Sequence, residues 1–472
     1  LSETIYDVVI IGSGPAGYTA AIRAGQLGLK TALIEKDAKL GGTCLHVGCI
    51  PTKALLFNAE LWDHIAEAKE YGIENLGTPN LNWAAVQDRK NKIVAKHAKG
   101  LEFLMKKNKV TVVPGFGKLT GPAKNGIFSV EVDAGGKKST VQGRKVIVST
   151  GSVARMLPGL KADDRVLTNI EILSLPQPPK SLVIIGSGAV GVEFGSIFKS
   201  FGAEITIIEM LPRLVPVEDE EVSKELNRVY RKRGITCFTN SPFKKLERTR
   251  DGVKVTFESE GKEQTVEAEK CLVAIGRAPR TEGIGLEKLP AIKVERGFVH
   301  TDDYMQTGEP GVYAIGDIVA GMPQLAHSGS MSGILAVTHI AGKPVQKIKK
   351  TLIPGATYCH PEIGSVGLTE AKAKEKGHTV KIGKFPFTAN SRASIVGQHE
   401  GFIKIVSDAK YGEILGVHII GPQATELIAE AVAAMQMEAT VEDLMWTIHA
   451  HPTLAEAMLD AVSSVEGKAI NA

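Results

Sequence analysis

Cysteine is scarce, with five residues in a chain of 472. That is too few for a secreted disulfide framework, so the usage points to a reducing compartment, where a close cysteine pair is more often catalytic than structural. Long apolar runs are also missing. None approaches the roughly 18 residues that cross a bilayer, and no membrane partner is expected. Neither sign of charge dominates: 56 Lys and Arg stand against 52 Asp and Glu, a net charge of +4. A balance so close to neutral argues against a nucleic-acid partner. No basic region precedes the first apolar stretch, LSETIYDVVIIGSG. A signal peptide is therefore not expected, and the chain reads as a soluble protein of the bacterial cytoplasm, or of the mitochondrial matrix if a transit segment was removed. Cys237, Cys271 and Cys359 are isolated, and His64, His97 and His378 are scattered, so no metal site is expected. What remains is an ordinary globular composition, 43% hydrophobic and 23% charged, at a length that suits about three domains.

An internal duplication organises the chain. Residues 6–36, YDVVIIGSGPAGYTAAIRAGQLGLKTALIEK, align without a gap on residues 180–210, KSLVIIGSGAVGVEFGSIFKSFGAEITIIEM. Gly12, Gly14, Gly17, Gly28 and Glu35 fall opposite Gly186, Gly188, Gly191, Gly202 and Glu209. Each copy reads as an apolar strand, a glycine turn, a helix of small residues and a second strand ending in an acid. This context is what a dinucleotide fingerprint requires. The first glycine permits the tight turn, the second lets the backbone approach a pyrophosphate, and the third lets helix pack on strand. Glu35 and Glu209 would accept hydrogen bonds from an adenosine ribose. A carboxylate there repels a 2′-phosphate, so Glu209 favours NAD over NADP. Two units imply two dinucleotides: FAD on the first, next to the cysteine pair, and NAD on the second.

Cys44 and Cys49 lie in GGTCLHVGCIPTKALL. Five positions apart in a regular helix is roughly 8–9 Å at Cα, whereas a disulfide tolerates about 4.4–6.8 Å. Either the pair never bonds or the segment bends where a helix begins. Pro51 is placed to open that helix, and a thiol at a helix N-terminus is biased toward thiolate. Cys49 is then the thiolate held against a flavin, and Cys44 faces substrate and performs exchange. Two small buried hydrophobes are the bland alternative, and the neighbouring fingerprint favours the redox reading.

Later segments extend the plan. VIVSTGSVARMLPG, around Thr150 and Gly151, reads as a strand ending in a crossover turn, and CLVAIGRAPR, around Gly276, repeats the pattern. TGEPGVYAIGD ends at Asp317, which could accept a ribityl hydroxyl or shape a turn. From about residue 350, strands in FIKIVSD and GEILGVHIIG flank an apolar helical run, ELIAEAVAAMQMEA, suited to burial or a subunit contact. Near the far end stands Thr447-Ile-His449-Ala-His451-Pro-Thr-Leu-Ala-Glu456. Pro452 is expected to open the next helix. Glu456 could reach back to His451 and make it a general base for thiol exchange; a capping histidine beside an exposed acid is the alternative. His449 reads as structural.

These motifs together resemble the flavin-dependent pyridine nucleotide–disulfide oxidoreductases, and within them the branch that oxidises dihydrolipoamide. The resemblance covers essentially the whole chain and rests on GGTCLHVGCIPTKALL, the paired fingerprints, TGEPGVYAIGD with QLAH, TYCHPEIGSVGLTE and HAHPTLAEAM. It implies an α/β fold of two Rossmann-like domains plus a C-terminal α+β dimerisation domain. The expected divisions are 1–150 for FAD with the redox disulfide, 151–280 for NAD, 281–350 for a central part completing the FAD site, and 351–472 for the interface. The implied FAD-binding set is Gly12, Gly14, Pro15, Ala16, Gly17, Glu35, Lys36, Gly42, Thr43, Lys53, Gly117, Thr150, Gly151, Ser152, Gly316, Asp317, Gln324, Leu325, Ala326 and His327. For NAD it is Gly186, Gly188, Ala189, Val190, Gly191, Glu193, Glu209 and Gly276. The implied catalytic set is Cys44, Cys49, His451, Glu456, Lys53 and Glu193, with Lys53 and Glu193 paired near the flavin. A homodimer with shared active sites is implied, serving the lipoyl-bearing subunit of a 2-oxo acid dehydrogenase complex or a glycine-cleavage system.

The sequence departs from the family pattern at Ser328–Gly333 (SGSMSG), where a lysine and acidic residues are usual, and at Arg280. Rival readings are a glutathione- or mercury-type reductase and a scaffold subunit without turnover. Glu209 argues against the first, the ending GKAINA against the second, and the intact catalytic set against the third.

Overall fold

The computed structural model describes residues 4–471. The chain forms two compact units, one from Leu1–Ala54, Ala84–Arg155 and Gly276–Ile348, the other from Leu55–Trp83, Met156–Ile275 and Lys349–Ala472.

In the first unit the strand Ile5–Ile11 is central. It pairs in parallel with Thr31–Glu35 on one side and with the second half of Lys137–Val148 on the other. Thr111–Pro114 and Val312–Ala314 extend the parallel set at its two margins. Val8, Val9, Ile10, Val146 and Ile147 are fully buried, which is why these strands are continuous apolar runs rather than alternating ones. The first half of Lys137–Val148 turns away to pair antiparallel with Phe128–Ala134, which pairs with Phe116–Leu119. The chain leaves Ile5–Ile11 for one neighbour and returns on its other side. That reversal opens a crevice at the strand's C-terminal end, where the glycine turn lies.

Helix Pro15–Gln26 follows that turn, and helix Ala326–Ile340 packs against it. The departing SGSMSG segment lies at this contact. A Cβ on Gly333 would meet the Ala16 carbonyl oxygen at 2.6 Å, and the Ser330 hydroxyl donates to the Pro15 carbonyl at 3.4 Å. Small residues here let two helices approach closely.

The second unit repeats the design with the parallel order Thr236–Phe238, Glu204–Ile208, Ser181–Ile185, Lys270–Val273 and Val166–Leu167. An antiparallel ribbon of Phe243–Arg248, Val253–Ser259 and Lys262–Ala268 accompanies it, as in the first copy. Its C-terminal part is a five-stranded antiparallel sheet ordered Gly355–Thr357, Glu362–Gly367, Ile414–Gly421, Phe402–Asp408 and Val380–Pro386. Helices Ala424–Gln436 and Glu456–Val465 cover it, with Ile403, Ile405, Val417, Ile419, Ala431, Ala457 and Ala461 in one core. The expected helical run after GEILGVHIIG thus forms, beginning at Ala424. One buried lysine joins this sheet to the second nucleotide unit. Lys404 Nζ donates to Asp219 at 3.0 Å, Glu221 at 2.8 Å and Glu370 at 2.7 Å. Burial works against its charge, and the three carboxylates outweigh burial and hold it protonated.

The α/β class, the duplicated nucleotide folds and the C-terminal α+β sheet match the sequence expectation. One local expectation fails: Pro452 does not open a helix. The next helix starts at Glu456, because the chain first turns at 451–455. The Thr453 hydroxyl closes that turn by donating to the Ala450 carbonyl at 2.7 Å.

Candidate active site and its two nucleotide cradles

The glycine turns are near copies at atomic level. Gly12 and Gly186 sit at φ +102° and +100°, a region closed to other residues without strain. A Cβ on Gly17 would stand 1.9 Å from the Gly12 carbonyl oxygen, and one on Gly191 would stand 2.0 Å from that of Gly186. Helix and turn can close only without that atom. Gly14 and Gly188 behave differently: an added Cβ would meet nothing within 4 Å. Both are N-caps without a side-chain cap, of Pro15–Gln26 and Ala189–Ser200, so the first-turn N–H groups remain available to an anion. The cradles fit a pyrophosphate.

The acids repeat the same geometry. Glu35 Oε2 accepts from the Ser13 amide at 2.8 Å and hydroxyl at 2.6 Å, while Oε1 accepts from the Asp37 amide at 2.8 Å. Glu209 accepts from the Ser187 amide and hydroxyl and from the Leu211 amide, all at 2.8 Å. Both are buried, at 7% and 6% exposure. A carboxylate offers about four acceptor positions, so three donors leave each roughly one for a ribose hydroxyl. Lys36, by contrast, is half-exposed and paired with Asp37 at 3.2 Å.

In the first unit, Ser152–Ala154 and Arg277–Pro279 pair antiparallel, so the two crossover segments expected from the sequence form one ribbon. The Ser152 hydroxyl donates to Asp317 Oδ2 at 2.5 Å. Arg277 Nε donates to Ser152 Oγ at 2.7 Å and Nη2 to its carbonyl at 2.8 Å, with Nε 4.0 Å from Asp317. Burial lowers the Arg277 guanidinium, and the charges of Asp317 and Cys49 oppose that shift. The Thr150 hydroxyl donates to the Arg280 carbonyl at 2.5 Å, and Gln324 Nε2 to the Asp317 carbonyl at 3.2 Å. Leu325 caps the helix whose first residues are Ala326 and His327. Gly117 lies in Phe116–Leu119, where a Cβ would press on Ile11 and Ile34 at 3.1 Å.

The cysteine pair resolves the spacing problem with a break. Cys44 lies in Gly42–Val47, Cys49 is the first residue of Cys49–Ala66, and Gly48 between them sits at φ −148°, ψ −116°. The Gly48 carbonyl accepts from the Thr52 amide at 3.1 Å and its hydroxyl at 2.6 Å. Neither cysteine is in a disulfide, and both are half-buried. The Cys44 thiol is pushed far up, first by its hydrogen bond with Cys49, then by burial and the Cys49 charge, with Lys53 acting oppositely. Cys44 therefore keeps its proton beside Cys49, the residue at the helix start. Tyr18, in the fingerprint helix, faces the same pair: burial raises its phenol, and the charges of Cys44 and Cys49 raise it further.

In the second unit, His451 Nδ1 and Glu456 Oε1 are 2.9 Å apart, and Glu456 Oε2 accepts from the Thr453 amide at 2.8 Å. Burial acts to raise the Glu456 carboxyl, and the Thr453 amide and His451 outweigh it, so it lies below its ordinary value. The His451 side chain is 71% exposed. His449 differs: Nε2 meets Glu430 at 2.7 Å and Nδ1 the Thr447 carbonyl at 3.0 Å. Both of its nitrogens are committed, to the Ala424–Gln436 helix and to the local chain. Glu193, 4% exposed, accepts the Tyr358 amide on Oε1 at 3.0 Å.

Among the expected residues, the FAD set with Cys44, Cys49 and Lys53 falls in the first unit, as does Gly276. The remaining NAD set, with His451 and Glu456, falls in the second. Tyr18, Arg277 and Tyr358 all lie inside segments singled out from the sequence, the first fingerprint, CLVAIGRAPR and TYCHPEIGSVGLTE, yet the sequence assigns none of them a role there.

A duplicated glycine cradle with a cysteine pair beside one copy defines a dinucleotide-dependent disulfide oxidoreductase, and the comparisons agree. Residues 6–333 match the pyridine nucleotide-disulphide oxidoreductase family and residues 353–462 its dimerisation domain. The chain belongs to that family, as the motifs implied, and its cofactors are FAD and NAD. It is 46% identical to the dihydrolipoyl dehydrogenase of Bacillus subtilis, covering 99% of each chain. With that of Rhizobium etli it shares 43%, again over 99% of each. Among solved structures it resembles LpdA from Mycobacterium tuberculosis, with TM-score 0.89 and 28% identity over 97% of this chain and 99% of that one. It also resembles the HOCl-induced flavoprotein disulfide reductase RclA from Escherichia coli, with TM-score 0.85 and 26% identity over 97% and 99%. No helix among the described residues is long and apolar enough to cross a membrane.

Proposed function

We propose that the protein oxidises a protein-bound dihydrolipoyl group to its disulfide and reduces NAD⁺ to NADH. The observation that carries this reading is the Cys44–Cys49 pair split by Gly48, with Cys49 at a helix start in the unit that holds the first cradle. The substrate follows from full-length similarity to dihydrolipoyl dehydrogenases.

The oxidised enzyme has a Cys44–Cys49 disulfide. One lipoyl thiolate attacks Cys44 Sγ, the S–S bond breaks, and Cys49 leaves as a thiolate stabilised by the helix start. The second lipoyl sulfur, deprotonated by His451, attacks the sulfur bonded to Cys44. Lipoyl disulfide leaves and Cys44 takes up a proton. Because the attacking species is the thiolate and an ordinary thiol is mostly protonated at neutral pH, exchange needs a base, and Glu456 orients the imidazole for that task. FAD supplies the two-electron carrier between this dithiol and nicotinamide. The resemblance implies that Lys53 and Glu193 would serve the flavin ring, and Glu209 would hold the NAD ribose. In balance, dihydrolipoyl and NAD⁺ give lipoyl, NADH and one proton.

Trp446 and Ile448 are 81% and 96% exposed in the single chain. Such apolar exposure beside the base suits a homodimer in which His451 and Glu456 of the partner subunit serve this chain's cysteines. The working domains are 1–150 for FAD, 151–280 for NAD, 281–350 completing the FAD site and 351–472 at the interface. We place the protein in the bacterial cytoplasm, on the lipoyl-bearing subunit of a 2-oxo acid dehydrogenase or glycine-cleavage assembly. The test is steady-state assay of the purified protein with dihydrolipoamide, reduced glutathione and Hg²⁺, against NAD and NADP. Turnover restricted to dihydrolipoamide and NAD is expected. A preference for either other substrate, or Cys49→Ser working at near parental rates, overturns the reading.

A further inference from the structure

Glu193 is the most deeply placed acid in the proposed catalytic set, and an ionised carboxylate at such burial needs fixed donors. One such donor is the Tyr358 amide, from a segment 165 residues away in sequence. Something must hold that segment against the Glu193 helix. One turn further along Ala189–Ser200, the Ser196 hydroxyl accepts from the His360 amide at 3.1 Å. Arg233, at the end of helix Glu220–Lys232, bridges the two partners of this contact: Nη1 donates to Ser196 Oγ at 2.9 Å and to the His360 carbonyl at 3.1 Å. Its other arm, Nη2, donates to Ser200 Oγ at 3.0 Å and to Asp63 Oδ2 at 3.3 Å. The Ser200 hydroxyl donates in turn to Asp63 at 2.6 Å. Asp63 belongs to Cys49–Ala66, the helix that begins with the proposed thiolate.

We propose that Arg233 is a positioning residue for Glu193. It pins the Tyr358–His360 turn to the Glu193 helix and, through Asp63, pins the far end of the Cys49 helix to the same face. The proposal rests on the reading that Glu193 acts beside the flavin. A planar fork suits the task, because four acceptors on three elements are met by two terminal nitrogens, which a lysine ammonium cannot reproduce. Neighbouring groups agree. Burial first and the Arg233 charge second lower His360 to about 4, so the ring is neutral and does not compete for Asp63. The Cys359 thiol is raised by burial and then by the charge on Glu193, which places that charge beside the turn.

The experiment uses the full-length, FAD-loaded protein and four variants: Arg233→Met, Arg233→Lys, Glu193→Gln and the double Arg233→Met/Glu193→Gln. Loss of positioning is expected to lower kcat on the order of 10- to 100-fold, with KM for dihydrolipoamide changed by no more than about twofold. The long-wavelength absorbance of the two-electron-reduced enzyme should change as well, which a role in bulk stability alone would leave unmoved. Arg233→Lys should restore only part of the rate. The double variant should be no slower than Glu193→Gln, because both changes act through one carboxylate. Multiplying effects in the double variant, or a reduced spectrum unchanged in Arg233→Met, overturn the proposal. Parental rate and spectrum in Glu193→Gln overturn the reading beneath it, and the proposal with it. If Arg233→Met does not fold, Ser196→Ala removes the two clamp bonds that Ser196 Oγ accepts, from Arg233 and from the His360 amide, and faces the same comparison.

Discussion

Ser187 grips Glu209 twice, its amide and its hydroxyl both donating to Oε2 at 2.8 Å. With the Leu211 amide on the other oxygen at 2.8 Å, the carboxylate cannot swing aside. A 2′-phosphate brought to it meets a fixed negative charge.

Glu209→Ala should therefore raise the ratio of NADP to NAD in kcat/KM by about tenfold or more. It should also lower stability by about 1–3 kcal/mol, because a buried amide is left without an acceptor. Steady-state kinetics with both nucleotides and a thermal melt check this. An unchanged ratio would show that the carboxylate is not the discriminator.

The two cradles can be separated by the atom each lacks. Gly191→Ala forces a methyl against the Gly186 carbonyl oxygen, 2.0 Å from where it would stand. Such overpacking typically costs about 1–3 kcal/mol. The protein should keep its bound flavin yet lose most NAD reduction. Gly17→Ala, with the equivalent 1.9 Å clash, should instead lose flavin. Flavin content by absorbance decides, and the opposite pattern would reverse the assignment of FAD and NAD.

Glu456→Gln keeps the shape of the dyad and removes its charge. The rate with dihydrolipoamide should fall about 10- to 100-fold. Because the folded-state carboxyl lies below its ordinary value, its contribution to stability is present above the unfolded value and lost as pH falls through the folded one. The variant should show a smaller loss of stability on acidification than the parent. Equal acid sensitivity in urea titrations would remove Glu456 from the account.

His360 acts in the same direction, in a higher pH window and mainly through burial. Its folded value is lowered from 6.5 to about 4, mainly by burial, so the unfolded chain binds the extra proton between those values. Stability should fall as pH drops from about 7 to 5, with this one group contributing on the order of 2 kcal/mol. In His360→Asn that part of the slope should vanish. Denaturant midpoints at the two pH values measure it, and parallel curves for parent and variant would contradict it.

Short-range features are legible in the amino-acid order. Each glycine turn, its helix and its acid lie within about 31 consecutive residues, and the spacing reports the geometry because neighbours in sequence are neighbours in space. The same holds for Cys44 and Cys49, where the spacing leaves an unbonded pair or a bend, and Gly48 supplies the bend. His451 and Glu456 sit five residues apart, and their 2.9 Å contact decides between the two roles that the spacing allows. The start of the last helix is not legible in this way, since Thr453 and Glu456 build a turn that Pro452 does not announce.

Amino-acid order alone determined the two nucleotide folds, the sulfur pair and the class of chemistry, since each depends on local backbone conformation and on what a Cβ would strike. Tertiary structure decided which distant groups meet buried charges: the Tyr358 amide on Glu193, Arg233 on Asp63, Ser152 on Asp317. A buried polar atom needs a partner but does not specify its address along the chain, so no periodicity records the choice. Only the packing of the finished core brings those partners within reach.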